Sequence, residues 1–207
     1  MSILKNSWSA FSKKSAEKFL DGFGNGSIYS VKIVSEILKE FGNEIKIIDF
    51  GCGNGQLISK LIDFGVVANF TGIDFSDVLL EAAIESLPDS NFINDDVIKL
   101  SKVNTNFKIG IYSHVIEMLE SPMESLINAS KICEIIIIRF FEPPNFELDS
   151  FEIKEMIVDE ETNYKVPYIR RKISKNYYNL ILNEINCKKV EKYLDEYSKD
   201  EVHVLYF

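Results

Sequence analysis

The sequence predicts an α/β fold, a doubly wound, mostly parallel sheet with helices on both faces. Strand-length apolar runs alternate with helical patterns from about residue 30 onward, the order typical of parallel strands joined by crossover helices. The β-branched run Ile135–Ile138 is typical of a strand buried on both faces. Apolar residues make up 46% of the 207 residues, which is sufficient for one sizeable core.

The first predicted elements are a helix, a strand and a second helix. Apolar residues at helical spacing predict a helix over Ser30–Phe41, and Gly42 ends it. Ile45–Phe50 is a short, almost wholly apolar strand, and a glycine-rich turn follows it. The next helix, Gln56–Phe64, ends before Gly65, so the chain returns toward the sheet there.

Three strands and one helix are predicted in the middle of the chain. Asn69–Asp74 is the second strand, Asn91–Asn94 a short third strand and Phe107–Ser113 the fourth. Between the first two of these, a helix over Ser76–Leu87 begins with a serine that can cap its first turn, and Pro88 follows its end. This order continues the parallel sheet.

The fifth predicted strand, Ile135–Phe141, follows a helix with a strong start signal. Ser121 and Glu124 have the spacing of a capping box, and Pro122 occupies the first helical position. After the two prolines at 143 and 144 the alternation of strands and helices stops. The chain beyond that point therefore requires a separate interpretation.

The last third of the chain predicts a hairpin-like insert, a helix and a final strand. Phe151–Val158 and Tyr164–Ile173 are strands joined by Asp159–Asn163, and Ser174–Ile185 is a helix that Ser174 can cap. Glu201–Phe207 alternates with a period of two, as a strand does. We interpret the insert as a cap on the substrate side, because binding loops gather at this edge of an α/β sheet.

We expect one domain over residues 1–207, divided into four segments. They are an N-terminal helical cap or lid (1–29), a cofactor-binding core (30–142), the insert (143–173) and a C-terminal helix and strand (174–207). Within the first segment, Trp8–Phe23 has an apolar face at imperfect helical spacing. That face fits a helix packed on the core and a lid over the site about equally.

The glycine-rich turn is the most informative motif. Asp49 ends the first strand, and Gly51, Gly53 and Gly55 then alternate with other residues. Glycine permits positive φ and lets a ligand approach the backbone closely. The dinucleotide fingerprint GxGxxG has a different spacing and cradles a pyrophosphate, beside which a carboxylate such as Asp49 is poorly placed. The turn therefore favours a cationic, phosphate-free ligand, as S-adenosylmethionine is.

A second acid stands at the end of the second strand. In nucleotide-binding α/β sheets, a carboxylate at this position accepts hydrogen bonds from ribose hydroxyls. Asp74 occupies it here. Together the two acids and the glycine turn predict a nucleoside-containing cofactor at the carboxyl edge of the sheet.

Residues 30–142 resemble the class I S-adenosylmethionine-dependent methyltransferases, of the type that acts on small molecules. The family's D-x-G-C-G-x-G motif matches residues 49–55, its ribose acid matches Asp74, its F-x-x-G-D-x-x-x-L motif matches residues 92–100, and its fourth motif matches residues 112–119. The resemblance implies seven strands with an antiparallel last strand. The cofactor-binding residues that it implies are Asp49, Gly51, Cys52, Gly53, Gly55, Asp74, Phe75, Asp95, Asp96, Val97 and His114.

Two positions depart from the family pattern, and one choice stays open. Lys108 stands where the fourth strand commonly begins with Asp, and no Pro-Gly-Gly turn precedes the fifth strand. Either Asp95 or Asp96 can contact the adenine amino group.

Four candidates for catalysis lie past the fourth and fifth strands. His114 has a pKa range that suits a general base, or it only lines the cofactor. Glu117 can act chemically or serve only the turn that follows. Arg139 and Glu142 can hold a charged substrate or pair with each other.

Composition limits the class of substrate. The net charge is −9, and the only short basic run, Arg170-Arg171-Lys172, fits a solvated strand face better than a phosphate patch. Cys52, Cys133 and Cys187 are widely spaced and predict neither a disulfide framework nor a zinc site. No apolar run reaches the roughly 20 residues of a membrane helix, and the N-terminus lacks a secretory signal. We expect a cytoplasmic protein without a bound metal.

The sequence thus predicts a methyltransferase that acts on an O or N atom of a small metabolite or sugar nucleotide, with no nucleic-acid or membrane partner. Methylation of protein or RNA is one alternative, and a catalytically inactive partner subunit that binds S-adenosylmethionine is another. The methyl acceptor and the oligomeric state are not readable from the sequence.

Overall fold

A computed structural model describes residues 7–18 and 28–207 of the chain. Its strands are β1 Lys46–Phe50, β2 Asn69–Asp74, β3 Asn91–Asn94, β4 Phe107–Ser113, β5 Cys133–Phe140, β6 Ser150–Asp159, β7 Tyr164–Lys172, β8 Lys189–Leu194 and β9 Glu201–Tyr206. Its helices are α1 Lys13–Lys18, α2 Ile28–Lys39, α3 Gln56–Asp63, α4 Asp77–Ser86, α5 Pro122–Ser130 and α6 Lys175–Glu184, with a short 3-10 helix at Ile116–Met118. No helix in these two ranges is long and apolar enough to cross a bilayer.

Seven strands form one sheet with the order β3-β2-β1-β4-β5-β9-β8. Strands β1 to β5 are parallel to one another, while β9 runs antiparallel to both β5 and β8. The chain order reverses between β1 and β4, and in such sheets ligands bind in the crevice outside the carboxyl ends at that point. The predicted fold class, a mostly parallel seven-stranded sheet with an antiparallel last strand, is confirmed.

Helices cover both faces of the sheet, which explains the apolar runs of its central strands. Helices α2 and α3 pack on one face through side chains that include Val34, Leu38, Leu57 and Leu61. Helices α5 and α6 pack on the other through Leu126, Ala129, Tyr178 and Ile181. Burial of both faces accounts for the predominantly apolar residues of β1, β4 and β5.

From Ser30 onward the predicted elements lie within two residues of the observed ones at each end, but one strand was missed and one capping prediction was wrong. Strand β8 was not predicted at all. Helix α5 does begin with Pro122 at its first position, yet the side chain of Ser121 makes no capping hydrogen bond. In contrast, the hydroxyls of Ser76 and Ser174 do cap their helices by accepting from Leu79 N and Tyr177 N.

The predicted insert is an antiparallel hairpin of β6 and β7. Strand β7 lies against the 3-10 helix that follows β4, and the far end of the hairpin contacts the N-terminal segment, where Ser12 N donates to Val158 O over 2.9 Å. Helix α1 in turn packs on α4. The three parts share one apolar cluster, which includes Phe11, Ala16, Leu79, Ala82, Val158 and Val166.

Residues 7–18 and 150–172 together form what we call the roof. It contacts both the 3-10 helix that follows β4 and helix α4 that follows β2. The roof is also tied to the glycine-rich turn, because the amide of Asn54 donates to Ala16 O over 2.7 Å. Of the predicted N-terminal helix, Phe19, Leu20 and Phe23 lie outside the described residues.

Candidate functional site

The glycine-rich turn connects β1 to α3 at the centre of the carboxyl edge. Gly51, Gly53 and Gly55 all have positive φ, at 72°, 54° and 80°. A Cβ on Gly51 would lie 2.8 Å from Val115 Cγ2, whereas a Cβ on Gly53 would meet nothing within 4 Å. The first glycine therefore lets the turn pack against the segment after β4, and the second leaves open space beside the turn.

Asp74 connects the end of β2 to this turn. One of its carboxylate oxygens accepts from Gly53 N over 3.0 Å, and the other accepts from Ser76 N over 2.9 Å. Each oxygen of an ionised carboxylate has a second acceptor site, so the group can still receive two hydroxyls. Burial raises the pKa of Asp74, and the two backbone hydrogen bonds oppose that rise.

Asp49 is a buried acid whose Oδ2 atom makes no hydrogen bond within the described residues. Burial, reinforced by the charge of Asp74 and opposed by that of Arg139, raises the pKa of Asp49 to about 7. A buried carboxylate without a partner is costly unless a cation or a donor reaches it. The site therefore offers a place for a positively charged group next to the glycine turn.

The segment after β3 adjoins Asp74, since Asp95 N donates to Asp74 O over 3.0 Å. The carboxylate of Asp95 is used within its own loop, where it accepts from Ser101 Oγ, Lys102 N and Asp96 N. Burial alone would raise the pKa of Asp95, but these hydrogen bonds lower it. Asp96 is half-buried and accepts from Ile98 N, so of the two acids it has more access to a ligand.

Three further predicted cofactor residues surround this region. Phe75 is half-buried next to Asp74, and Cys52 is buried with its backbone N donating to Ile73 O. Val97 is buried in the core, and its carbonyl accepts from Ser125 Oγ over 2.7 Å. Cys52 and Val97 thus support the shape of the site through packing and backbone contacts.

Arg139 is the centre of a group that we call the polar layer, formed by Ser30, Asp49, Ser113, Arg139 and Asp200, all of them buried except the half-buried Ser113. The guanidinium is fully buried, donates to Ser30 Oγ over 2.8 Å and to Ser113 Oγ over 2.6 Å, and lies 3.5 Å from Asp200 Oδ2. Burial lowers its pKa to about 10, so it remains charged. Its donors serve the layer. Of the two alternatives for Arg139 and Glu142, pairing with each other is not observed, because Glu142 instead lies 3.5 Å from Arg170.

Glu117 lies on the 3-10 helix and connects the ends of β4 and β5. Its Oε1 accepts from Phe141 N over 2.7 Å, and its buried Oε2 makes no hydrogen bond within the described residues. Burial raises the pKa of Glu117 to about 7, against the backbone hydrogen bonds and the charge of Arg170. The bond to Phe141 N lies beyond the turn that follows Glu117, which was the predicted structural role. A catalytic role for Glu117 stays a prediction.

His114 follows β4 directly, in a left-handed conformation with φ 58°. Its ring stacks on Phe141 with a centroid distance of 3.4 Å, and its Nε2 lies 3.1 Å from Asp200 Oδ2. Burial and the charge of Arg139 lower the pKa of His114 to about 4, although Asp200 opposes them. The imidazole is therefore neutral near pH 7, the state that a general base requires.

Sequence reasoning missed Ser30 and Asp200. Nothing local marks them, because they are 170 residues apart and meet only when β9 joins β5. The one available signal was Arg139, since a cation within an apolar strand requires a buried acid as partner.

The basic run of β7 is neutralised by its surroundings. Arg170 lies within 4.0 Å of Glu142 and Glu152, and Lys172 pairs with Glu152 at 2.5 Å. The guanidinium of Arg171 stacks over Phe151 and Tyr177. These three residues therefore form part of the roof instead of an open phosphate patch.

Comparison with known proteins gives a family and a set of similar folds. A family model described as a methyltransferase domain matches residues 42–198, while no curated protein sequence matches the chain. The CcbJ methyltransferase from Streptomyces caelestis is 12% identical, with a TM-score of 0.70 and 97% of each chain covered. The amino pentose methyltransferase of calicheamicin biosynthesis from Micromonospora echinaspora, solved with S-adenosylmethionine, is 10% identical, with a TM-score of 0.69. The match covers 95% of this chain and 97% of that one.

A third similar structure is the magnesium protoporphyrin IX methyltransferase from Synechocystis with bound S-adenosylmethionine. It is 13% identical, with a TM-score of 0.69, and the match covers 100% of this chain and 97% of that one. Two of these structures hold S-adenosylmethionine, the cofactor that a methyltransferase domain uses. The chain therefore belongs to the methyltransferase-domain family and is an S-adenosylmethionine-dependent methyltransferase.

Proposed function

We propose that the chain transfers the methyl group of S-adenosylmethionine to an O or N atom of a small metabolite or sugar nucleotide. The observation that carries this proposal is the roof. Because residues 7–18 and the β6–β7 hairpin meet over the carboxyl edge, an acceptor has to fit beneath them or enter while they separate. A small molecule meets that requirement more easily than a folded protein or a structured RNA.

The surroundings of the roof support the same proposal. The chain is acidic overall, and the basic side chains of β7 are paired or stacked. Nucleic-acid substrates are held mainly by unpaired Lys and Arg side chains that contact phosphates. The similar structures named above include methyltransferases of an amino pentose and of a porphyrin, and both of these acceptors are small molecules.

We propose that the cofactor lies along the turn after β1. Asp74 would hold the ribose, Asp96 the adenine amino group and Asp49 the ammonium, while Gly51, Gly53 and Gly55 give the backbone its shape. Phe75, Val97, Cys52 and Asp95 would support these contacts. His114 would lie at the reacting end, because Val115 next to it touches the position of Gly51.

The chain's own residues can position an acceptor and remove its proton. Methyl transfer gains most of its rate from alignment, which can contribute up to roughly 7–11 kcal/mol. A hydroxyl acceptor also loses a proton, and His114 and Glu117 are the two candidate bases. Arg139 acts indirectly, since its guanidinium orders the polar layer behind His114.

The decisive experiment is a transfer assay with radiolabelled S-adenosylmethionine and three separate acceptor pools. The pools are small metabolites with sugar nucleotides, total protein, and total RNA, and calorimetry with S-adenosylhomocysteine runs in parallel. Label in the small-molecule pool alone supports the proposal, and mass spectrometry of the product then identifies the methylated atom. Label in protein or RNA would establish the first alternative.

Binding of S-adenosylhomocysteine without labelling of any pool would favour the alternative of an inactive partner subunit. The expected cytoplasmic location also stays a prediction, which microscopy of a fluorescently tagged chain would test.

A further inference from the structure

We infer that Asp200 is a positioning residue, which accepts the Nε2–H proton of His114 and so presents the Nδ1 lone pair of that ring to the methyl acceptor. The inference rests on the proposed transfer to a small molecule and deepens it, because it requires an acceptor group that gives up a proton. It also assigns a task to a residue in the turn before β9, outside the segment that resembles the family.

Asp200 is held firmly enough to orient a ring. Its Oδ2 atom accepts from Ser30 Oγ over 2.7 Å, and it lies 3.1 Å from His114 Nε2 and 3.5 Å from Arg139 Nε. The side chains of His114 and Asp200 are only 8% and 6% exposed. Water therefore competes little for this hydrogen bond.

The histidine is fixed from the other sides as well. Its backbone N donates to Arg139 O over 2.9 Å, which sets the level of the ring relative to β5. Phe141, which is 38% exposed, stacks on the ring at 3.4 Å with an angle of 23° between the planes. The ring has little freedom to rotate, so the group at Nε2 decides which of the two ring nitrogens carries the hydrogen.

The charges near the ring determine its proton. Burial alone would raise the pKa of Asp200, but the hydrogen bond and charge of His114, Ser30 and Arg139 lower it. Asp200 is therefore ionised and can only accept, so Nε2 must carry the hydrogen. Arg139 from β5 and Arg170 from β7 both disfavour a second proton on the ring. Within the described residues Nδ1 makes no hydrogen bond, which leaves its lone pair available.

Atoms, electrons and charge balance in the methyl transfer that this arrangement supports. S-Adenosylmethionine supplies the methyl carbon, and the electron pair of its broken carbon–sulfur bond stays on sulfur. The acceptor O or N atom forms the new bond to carbon, and its proton passes to His114 Nδ1. The imidazolium that develops is stabilised by Asp200, as in other acid–histidine pairs. The positive charge thus moves from the sulfonium to the ring, and the net charge of the site is unchanged.

Nitrogen-15 spectroscopy of histidine-labelled full-length chain tests the inference directly, because the chain has only two histidines. His203 is an internal reference, since its Nδ1 lies 2.7 Å from Tyr178 Oη and its Nε2 lies 2.9 Å from Glu201. We expect His114 at pH 7 to be neutral, with a slowly exchanging Nε2–H proton. Addition of S-adenosylhomocysteine should shift its Nδ1 signal and leave those of His203 unchanged.

The matched variants are Asp200→Asn and Asp195→Asn. Asp195 is also buried and lies in the same β8–β9 turn, where it accepts from Tyr197 N and Ser198 Oγ. Asp200→Asn should speed exchange of the His114 Nε2–H proton at least tenfold while S-adenosylhomocysteine affinity stays within threefold, and Asp195→Asn should leave that proton unchanged. With an acceptor from the transfer assay, only Asp200→Asn should lower kcat, with the KM for S-adenosylmethionine unchanged.

Several results would overturn the inference. They are a hydrogen on Nδ1 in the wild type, a charged ring at pH 7, an equal effect of both variants, or an Nδ1 signal unmoved by bound S-adenosylhomocysteine. The wild-type spectrum alone decides the tautomer, so the test survives if Asp200→Asn does not fold. Failure of S-adenosylhomocysteine to bind the wild type would instead remove the proposed function, which distinguishes the two failures.

Discussion

Replacing Gly53 by alanine distinguishes the contribution of the glycine turn to cofactor binding from its contribution to the free energy of unfolding. Gly53 and Gly65 both have positive φ, at 54° and 80°, and a Cβ on either would meet nothing within 4 Å. Gly53 lies in the turn after β1, whereas Gly65 lies after α3, away from the candidate site. The two substitutions therefore impose the same kind of backbone penalty in different surroundings.

The expected magnitudes follow from that comparison. An alanine in the left-handed region costs about 1–2 kcal/mol, and the smaller conformational entropy of its unfolded chain offsets about 0.4–1 kcal/mol. Both Gly53→Ala and Gly65→Ala should thus lose about 1 kcal/mol of unfolding free energy, or about 2–4 °C of Tm. Gly51→Ala should lose more, because its Cβ would lie 2.8 Å from Val115 Cγ2.

The affinity for S-adenosylhomocysteine should distinguish Gly53→Ala from Gly65→Ala. We expect the open space beside Gly53 to be occupied by the cofactor, so its new methyl group should weaken S-adenosylhomocysteine at least tenfold, or ~1.4 kcal/mol. Gly65→Ala should bind within twofold of wild type. Calorimetric titration and urea unfolding of the three variants provide both numbers. Wild-type affinity in Gly53→Ala, or an equal loss in Gly65→Ala, would refute the assignment of that space to the cofactor.

Three further predictions concern buried polar groups. The pKa of Asp49 is raised to about 7, so its stabilising effect is full below about pH 4 and is lost as the pH rises through 7. Asp49→Asn should unfold less readily than wild type at pH 8, and it should bind S-adenosylhomocysteine more weakly. The affinity of the wild type for S-adenosylhomocysteine should also fall below pH 7. Calorimetry that shows none of these changes would contradict the role of Asp49 in cofactor binding. Arg139→Met leaves Asp200 without its buried cation, so urea unfolding should show a loss of about 3–5 kcal/mol, and a loss below 1 kcal/mol would contradict the polar layer. Asn54→Ala removes the bond to Ala16 O and should speed amide hydrogen exchange in α1 but not in β1, with unchanged exchange in α1 arguing against the tie.

Sequence patterns predicted the parallel core of the fold because each central strand is buried on both faces. Runs such as Ile135–Ile138, β-branched and apolar throughout, are typical of a strand covered on both faces. Strand β8 was not predicted because it is an edge strand with four of its six residues exposed and none buried. Its charged residues Lys189, Glu191 and Lys192 leave no regular apolar period, so only its pairing with β9 identifies it.

Local sequence patterns likewise predicted some residues of the candidate site and missed others. Asp49, Asp74 and the glycines are close in sequence to strand ends, and the strand–turn–helix pattern marks them. Asp200 has no such mark, because its contact with His114 depends on how β9 inserts between β5 and β8. Hydrogen-bond partners 86 residues apart follow from topology, which local patterns do not encode.

The polar layer also sets the order in which the site can form during synthesis. Its members come from α2, β1, β4, β5 and the turn before β9, so a growing chain holds four of them before Asp200 emerges. Until then Arg139 has no acid partner from that turn, and His114 has no anchor for its ring. A nascent chain can thus bury most of its apolar core and still lack a finished reaction centre. We expect ribosome-bound chains that stop before Asp200 to show native-like protection in β1 and β4 but an unanchored His114.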